Sequence, residues 1–361
     1  VDTDTPALGA PGLQRFHELR YDAINAVTER FYAVHGSIYA RFGQKGRDAC
    51  RQDLAFHLEF LRPVLEFGLI QPMVDYLRWL ASVLASRQVP AEHLSLSLDW
   101  LAEFFSASME GPDARIVVAA LRNTKARFLA ADDAGPAMHG TAPEPWPEYE
   151  AFESALLAGN RRGAAEIVDR RLEQGHSIVE AELHMIQPAL YGIGRKWQNN
   201  QVSVAQEHLA TAIAQSVMAQ GLMKAELPPS NGKTVLLACV AENNHCVGLQ
   251  MVADGFQLAG WEVQFLGANV PTDALLKHIG ERKPDLLGLS VSFAQQLRTV
   301  KEVMLRLTQS HGTARPPVIV GGLAINQFKS LAGALGADAW SPDAASAVAS
   351  SPAFATQPGM A

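Results

Sequence analysis

At 361 residues the chain is too long for one ordinary compact unit and reads as two or three domains. Apolar residues make up 48% and charged residues 19%, and no uninterrupted apolar run reaches the roughly 18 residues a membrane span needs, so no membrane segment is expected. A net charge of −7, without a lysine/arginine cluster or a helix-turn-helix or zinc-finger pattern, argues against direct nucleic-acid binding. Cys50, Cys239 and Cys246 are poorly placed for a disulfide framework and no signal-peptide pattern appears, so the expected location is cytoplasmic.

The first expected domain covers residues 1–135, and its residues 13 to 130 read as helical throughout. Apolar positions recur every three or four residues in "FHLEFLRPVLEFG" and "MVDYLRWLASVLASR". Cys50, Asp53 and His57 fall at spacings that place Asp53 and His57 one helical turn apart on one face. Such residues can also be a core cysteine, a surface aspartate and a satisfied histidine, and Arg47 and Arg51 beside them can be solvated charges. A Pro/Gly/Ala-rich run predicts a linker over 136–148. Helical patterns with Gly and Asn punctuation return over 149–229 and predict a small bundle.

After "PPSNGK" the period changes. The runs "TVLLACV", "VQFLGA", "LLGLSV" and "PVIVGG" are short, apolar and unalternated, each followed by a helical stretch, with "ADAWSPD" as a candidate fifth strand. This predicts a parallel sheet covered on both faces over 230–343, of Rossmann-like or flavodoxin-like type. The Ala/Ser/Pro/Gly-rich residues 344–361 are expected to be a disordered tail. The whole is a multi-domain α plus α/β chain.

Ligands of such sheets bind at the carboxyl edge. Three edges carry small or polar residues: "NNHCVG" with Asn243, His245 and Gly248, then Ser290 and Ser292, then Gly321 and Gly322. One loop histidine by itself is more often a solvated polar residue than a ligand. Together the three edges resemble the cobalamin-binding fingerprint Asp-x-His-x-x-Gly, Ser-x-Leu or Ser-x-Thr, Gly-Gly. The resemblance implies that His245 ligates cobalt from below and that Gly248, Gly321 and Gly322 leave room for the cofactor's threaded tail. It also implies that Ser290 bonds the displaced base. Asn243 stands where the family has Asp, and a neutral amide that accepts from the ring N–H polarises the imidazole less; Glu242 is the neighbouring candidate for that part.

Within the bundle, "WQNNQVSVAQEH" places Trp197, nine intervening residues and then Glu207-His208. Taken alone, these read as a core indole and a helix-start pair. The spacing resembles the light-sensing adenosylcobalamin proteins, which implies that Trp197, Glu207 and His208 lie over the upper corrin face. Where some repressors of that group have a histidine after the Trp, this chain has Gln198, so light-state ligation would pass to His208 or water. The helical front half resembles the globin-like domains of photocobilins, which implies a bilin such as biliverdin held near Cys50, Asp53 and His57.

The expected function is a non-enzymatic photoreceptor: a globin-like bilin domain, a four-helix cap and a Rossmann-like adenosylcobalamin domain. Its homo-oligomeric state would change with light and signal to an output domain or partner. A corrinoid methyl carrier of a methyltransferase system is the competing reading. A haem-based globin-type sensor using His57, His35 or His93 is the third.

Overall fold

The computed structural model describes residues 6–130, 144–327 and 331–351, which fall into two units divided between Met138 and His139. Most of the sequence-predicted linker lies outside the described residues.

The first unit is all helical: α1 (Ala10–Tyr39), α2 (Gly43–Phe67), α3 (Gln71–Ala85), α4 (Glu92–Ser108) and α5 (Gly111–Ala130). In α2 the buried residues Leu54, His57, Leu58, Leu61, Val64 and Leu65 recur every three or four positions, which gives the helix one apolar stripe. The helix stops at Gly68, which adopts the left-handed conformation at φ 71° and donates its N–H to Pro63 and Val64 carbonyls. Aromatic pairs lock the core, with Phe60 stacked on Tyr76 at 4.1 Å and Phe16 on Phe105 at 5.1 Å.

The second unit opens with a bundle of α6 (Tyr149–Leu157), α7 (Arg161–Glu173), α8 (Ile178–Ala181), α9 (Gln187–Gln198) and α10 (Val204–Lys224). A single π-helical turn, Glu182–Ile186, joins α8 to α9 into one bulged helix. Asn160, Ser177 and Ser203 cap the starts of α7, α8 and α10 by accepting from backbone N–H groups. The last residues of the expected linker belong to this bundle. Trp146 donates its backbone N–H to the His184 carbonyl, stacks on the His184 ring and lies under the Arg171 guanidinium, because an indole gains more by packing there than by facing solvent.

The chain then alternates through β1 (Thr234–Val240), α11 (Val247–Leu258), β2 (Glu262–Val270), α12 (Thr272–Arg282), β3 (Leu286–Ser290), α13 (Leu297–His311), β4 (Val318–Gly321), α14 (Leu323–Gln327), α15 (Leu331–Ala334), β5 (Ala339–Trp340) and α16 (Ala344–Ser350). The sheet is wholly parallel, in the order β2-β1-β3-β4-β5. The inner strand β3 is buried at every position and β1 at all but its first, as two-sided coverage requires, whereas the edge strand β2 stays partly open. The expected disordered tail is wrong over its first residues. Asp343 accepts from the Ser346 N–H at 2.7 Å and starts α16, whose Ala344 and Val348 are small enough to seat against Gly255 of α11.

Candidate functional site

The strand order reverses between β1 and β3, and the cleft at the carboxyl ends of those strands is where a doubly wound sheet takes its ligand. Register places the predicted residues there: Cys239 pairs with Ser290, and Ser290 with Gly321. The loop from β1 to α11, the end of β3 and the end of β4 therefore lie side by side, with His245 on the first of them.

Buried Asn243 holds that loop. Its amide Nδ2 donates to the Ser290 carbonyl at 2.9 Å, and its Oδ1 accepts from the His245 backbone N–H at 3.1 Å. The expected contact with the imidazole ring is thus replaced by a contact with the backbone. An amide can donate to a carbonyl and accept from an N–H at once, which an ionised carboxylate cannot. Glu242 does not serve the ring either; it stands at φ 68° and its carboxylate faces Arg298 at 3.5 Å.

The His245 ring instead meets Phe293 edge-on, with centroids 5.1 Å apart. Surrounding protein lowers the imidazole pKa by desolvation, and the Glu207 carboxylate acts in the opposite direction. The neutral ring this favours is the form that can donate a lone pair to a metal.

Sequence reasoning missed Gln296, although it is nearly fully buried. Its Oε1 accepts from the backbone N–H groups of Ser292 and Phe293, each at 3.1 Å, and its Nε2 donates to the Glu242 carbonyl at 2.9 Å. One side chain so ties the loop after β3 to the loop after β1. Asn269 adds a second tie, with Oδ1 accepting from the Glu242 N–H at 2.7 Å. Both residues looked like ordinary loop polars in sequence; burial alone marks Gln296.

The glycines divide into two kinds. A Cβ on Gly248 would meet nothing, so the protein itself does not require a glycine there, and the open space suits the close passage of a ligand. Gly322 differs, since it sits at φ 96° and a Cβ would lie 2.4 Å from the Val291 carbonyl oxygen. Gly321 would meet the Ser341 carbonyl at 3.0 Å. Both glycines let the strand ends approach neighbouring backbone closely. Ser290 and Ser292 are buried in the same packing.

The bundle supplies the facing wall. Glu207 and His208 lie in the first turn of α10 and half-buried Trp197 in the last turn of α9, so the connection between the helices brings them to one end of the bundle. Glu207 Oε1 accepts from Thr211 at 3.0 Å and Oε2 pairs with His208 Nδ1. Gln215 of α10 reaches Gln250 of α11 at 3.3 Å, which sets the bundle against the helix that follows His245.

In the first unit, Cys50, Asp53 and His57 sit along α2. His57 Nδ1 lies 2.6 Å from the Asp53 carbonyl, which can only accept, so Nδ1 carries the proton, and among the described residues the buried Nε2 lone pair meets no donor. Burial lowers the His57 pKa to about 4, against the opposing bond to Asp53, and raises that of Asp53 to about 6. The Cys50 thiol is pushed up to about 11, first by burial and then by Asp53, so it is no activated nucleophile. Arg47 and Arg51 face Glu29.

Residues 233–349 match the family model described as B12 binding domain, and residues 148–220 match a second B12 binding domain model. The chain is similar to the HTH-type transcriptional repressor CarH of Myxococcus xanthus, at 26% identity over 56% of this chain and 67% of that protein. Its similarity to the HTH-type transcriptional repressor CarA of Myxococcus xanthus is 28% identity over 54% and 66%. Dimethylamine corrinoid protein 3 of Methanosarcina acetivorans shares 29% identity over 36% of this chain and 61% of that protein. The chain thus spans about two thirds of these curated relatives. A helical domain followed by a five-stranded Rossmann-like domain, each matching a B12-binding model, makes the second unit a cobalamin-binding module.

Proposed function

We propose that the protein is a cytoplasmic, non-enzymatic light sensor that binds adenosylcobalamin with His245 beneath the cobalt and Trp197, Glu207 and His208 over the opposite face. One observation carries the reading: a desolvated histidine at the strand-order reversal lies within electrostatic reach of Glu207, on the bundle end that also bears Trp197 and His208. Adenosylcobalamin, when bound, supplies a cobalt–carbon bond that blue or green light breaks. His245 presents the imidazole, Asn243 and Gln296 hold its loop, and Gly248 leaves the passage open. Trp197 and the Glu207-His208 pair shelter the upper side, so the packing of α9 and α10 depends on what that side holds. The light-dependent output is a change in homo-oligomeric state read by a signalling partner.

The test is to load the purified chain with adenosylcobalamin in darkness, record its spectrum and gel-filtration position, and repeat both after green light. A spectrum that changes together with elution is expected, and H245A should lose the histidine-ligated dark spectrum. Identical elution before and after light overturns the proposal.

The first unit is proposed as a globin-like domain for a bilin such as biliverdin. Support comes from His57, whose bare Nε2 is an acceptor suited to a pyrrole N–H, beside the half-buried Asp53. The protonated Cys50 thiol favours non-covalent attachment. Red absorption bands on adding biliverdin are expected; a Soret band from haem would instead assign the His57 lone pair to iron. Similarity to dimethylamine corrinoid protein 3 favours a second reading, a methyl carrier. Tight, light-sensitive retention of adenosylcobalamin separates the sensor from the carrier.

A further inference from the structure

Glu182 opens the π-helical turn of the bundle, and its side chain is fully buried. Among the described residues no N–H or O–H donor reaches either of its carboxyl oxygens, and Oδ2 of Asp254 on α11 is equally without a donor. What lies in hydrogen-bonding contact with the Glu182 carboxyl is the carboxyl of Asp254. Two carboxylates in contact cannot both be ionised in a dry interior, because neither then has anything to give the other. A proton between them turns the clash into a charge-assisted hydrogen bond. That bond joins the bundle to the helix that begins directly after the His245 loop.

We propose that one proton shared by Glu182 and Asp254 latches the helical bundle onto α11, and that its loss as pH rises loosens this joint. The surroundings offer no substitute. Glu153 on α6 is tied to Lys196, Glu180 on α8 to Ser177, and Tyr191 on α9 to Gln187. His184 on the turn is held by the Glu144 carbonyl, and Cys239 on β1 lies against the His245 carbonyl. Among the described residues these groups are thus engaged elsewhere, and α16 carries no titratable group. Burial raises the pKa of both carboxyls above their ordinary values of 4.5 and 3.8; the contact adds to the rise at Glu182 and opposes it at Asp254, which places the shared proton on Glu182. The sign follows. The folded joint binds more protons than the unfolded chain, so its stability is full below the ordinary carboxylate range and falls as pH rises through the folded value.

Hydrogen exchange of residues 182–186 and 247–258 in the full chain, compared at about pH 5 and about pH 8.5 and corrected for intrinsic rates, reads the joint directly. Within the titration window the wild-type opening constant should rise by up to about tenfold per pH unit. Glu182→Gln supplies a permanent N–H donor to Asp254, so its opening should be nearly independent of pH and lower than wild type at the alkaline end. Asp254→Asn does the same from the other side. A variant that differs from wild type by one constant factor at both pH values overturns the latch. If neither variant folds, the wild-type protein decides, and protection of α11 that ignores pH overturns it equally.

Discussion

Asn243 shows how one atom's difference decides a role. Its Nδ2 donates to Ser290 and its Oδ1 accepts from His245, so both halves of the amide are spent on backbone. In Asn243→Asp a carboxylate oxygen would face the Ser290 carbonyl inside a buried site, a cost of about 1–3 kcal/mol. The new acid would hold its proton more tightly folded than unfolded, so stability should fall as pH rises past roughly 4; urea unfolding of the cofactor-free chain across pH checks this. His57 and Asp53 make an opposed pair. Stability from His57, with a folded pKa of about 4, is present above its ordinary 6.5 and lost as pH falls through 4. Stability from Asp53, with a folded pKa of about 6, is full below 3.8 and lost as pH rises through 6. Between these limits the two slopes oppose each other. Asp53→Asn should therefore expose the histidine's acid sensitivity as a steeper loss of thermal stability below about pH 6.

At the scale of elements, two glycines allow structure and ligand to be separated. Gly322→Ala must force a left-handed backbone and a contact with Val291, so a loss of about 2–4 kcal/mol is expected in thermal unfolding. Gly248→Ala meets open space within a helix, so stability should hold or rise by about 0.5–1 kcal/mol while cobalamin affinity drops. Calorimetric titration beside a melting curve distinguishes them. The strands were legible because unalternated apolar runs broken by Gly, Pro and Asn have few other uses, and the edges carrying His245, Ser290 and Gly321 followed from them. Gln296, Asn269 and the Glu182–Asp254 contact were not legible, since each links segments far apart in sequence and looks locally like any other polar residue. The helix α16 was hidden by composition: alanine-rich sequence resembles a tail until Gly255 provides a surface flat enough to receive it.

On the scale of the whole molecule, every hydrogen bond described around His245 comes from the second unit. A fragment beginning at residue 139 should fold and bind cobalamin with an affinity within a few-fold of the full chain, measured by equilibrium titration in darkness. The full chain should show two unfolding transitions, of which cobalamin shifts one. The described residues contain no helix long and apolar enough to cross a membrane.

The Gln296 clamp has a consequence for engineering. A designer who transplants the histidine-bearing segment 241–246 onto another flavodoxin-type scaffold would carry over the imidazole but leave its anchor behind, because the amide that fixes its loop resides on a different crossover. The heritable cassette is the pair of segments, and residues 292–296 have to travel with it.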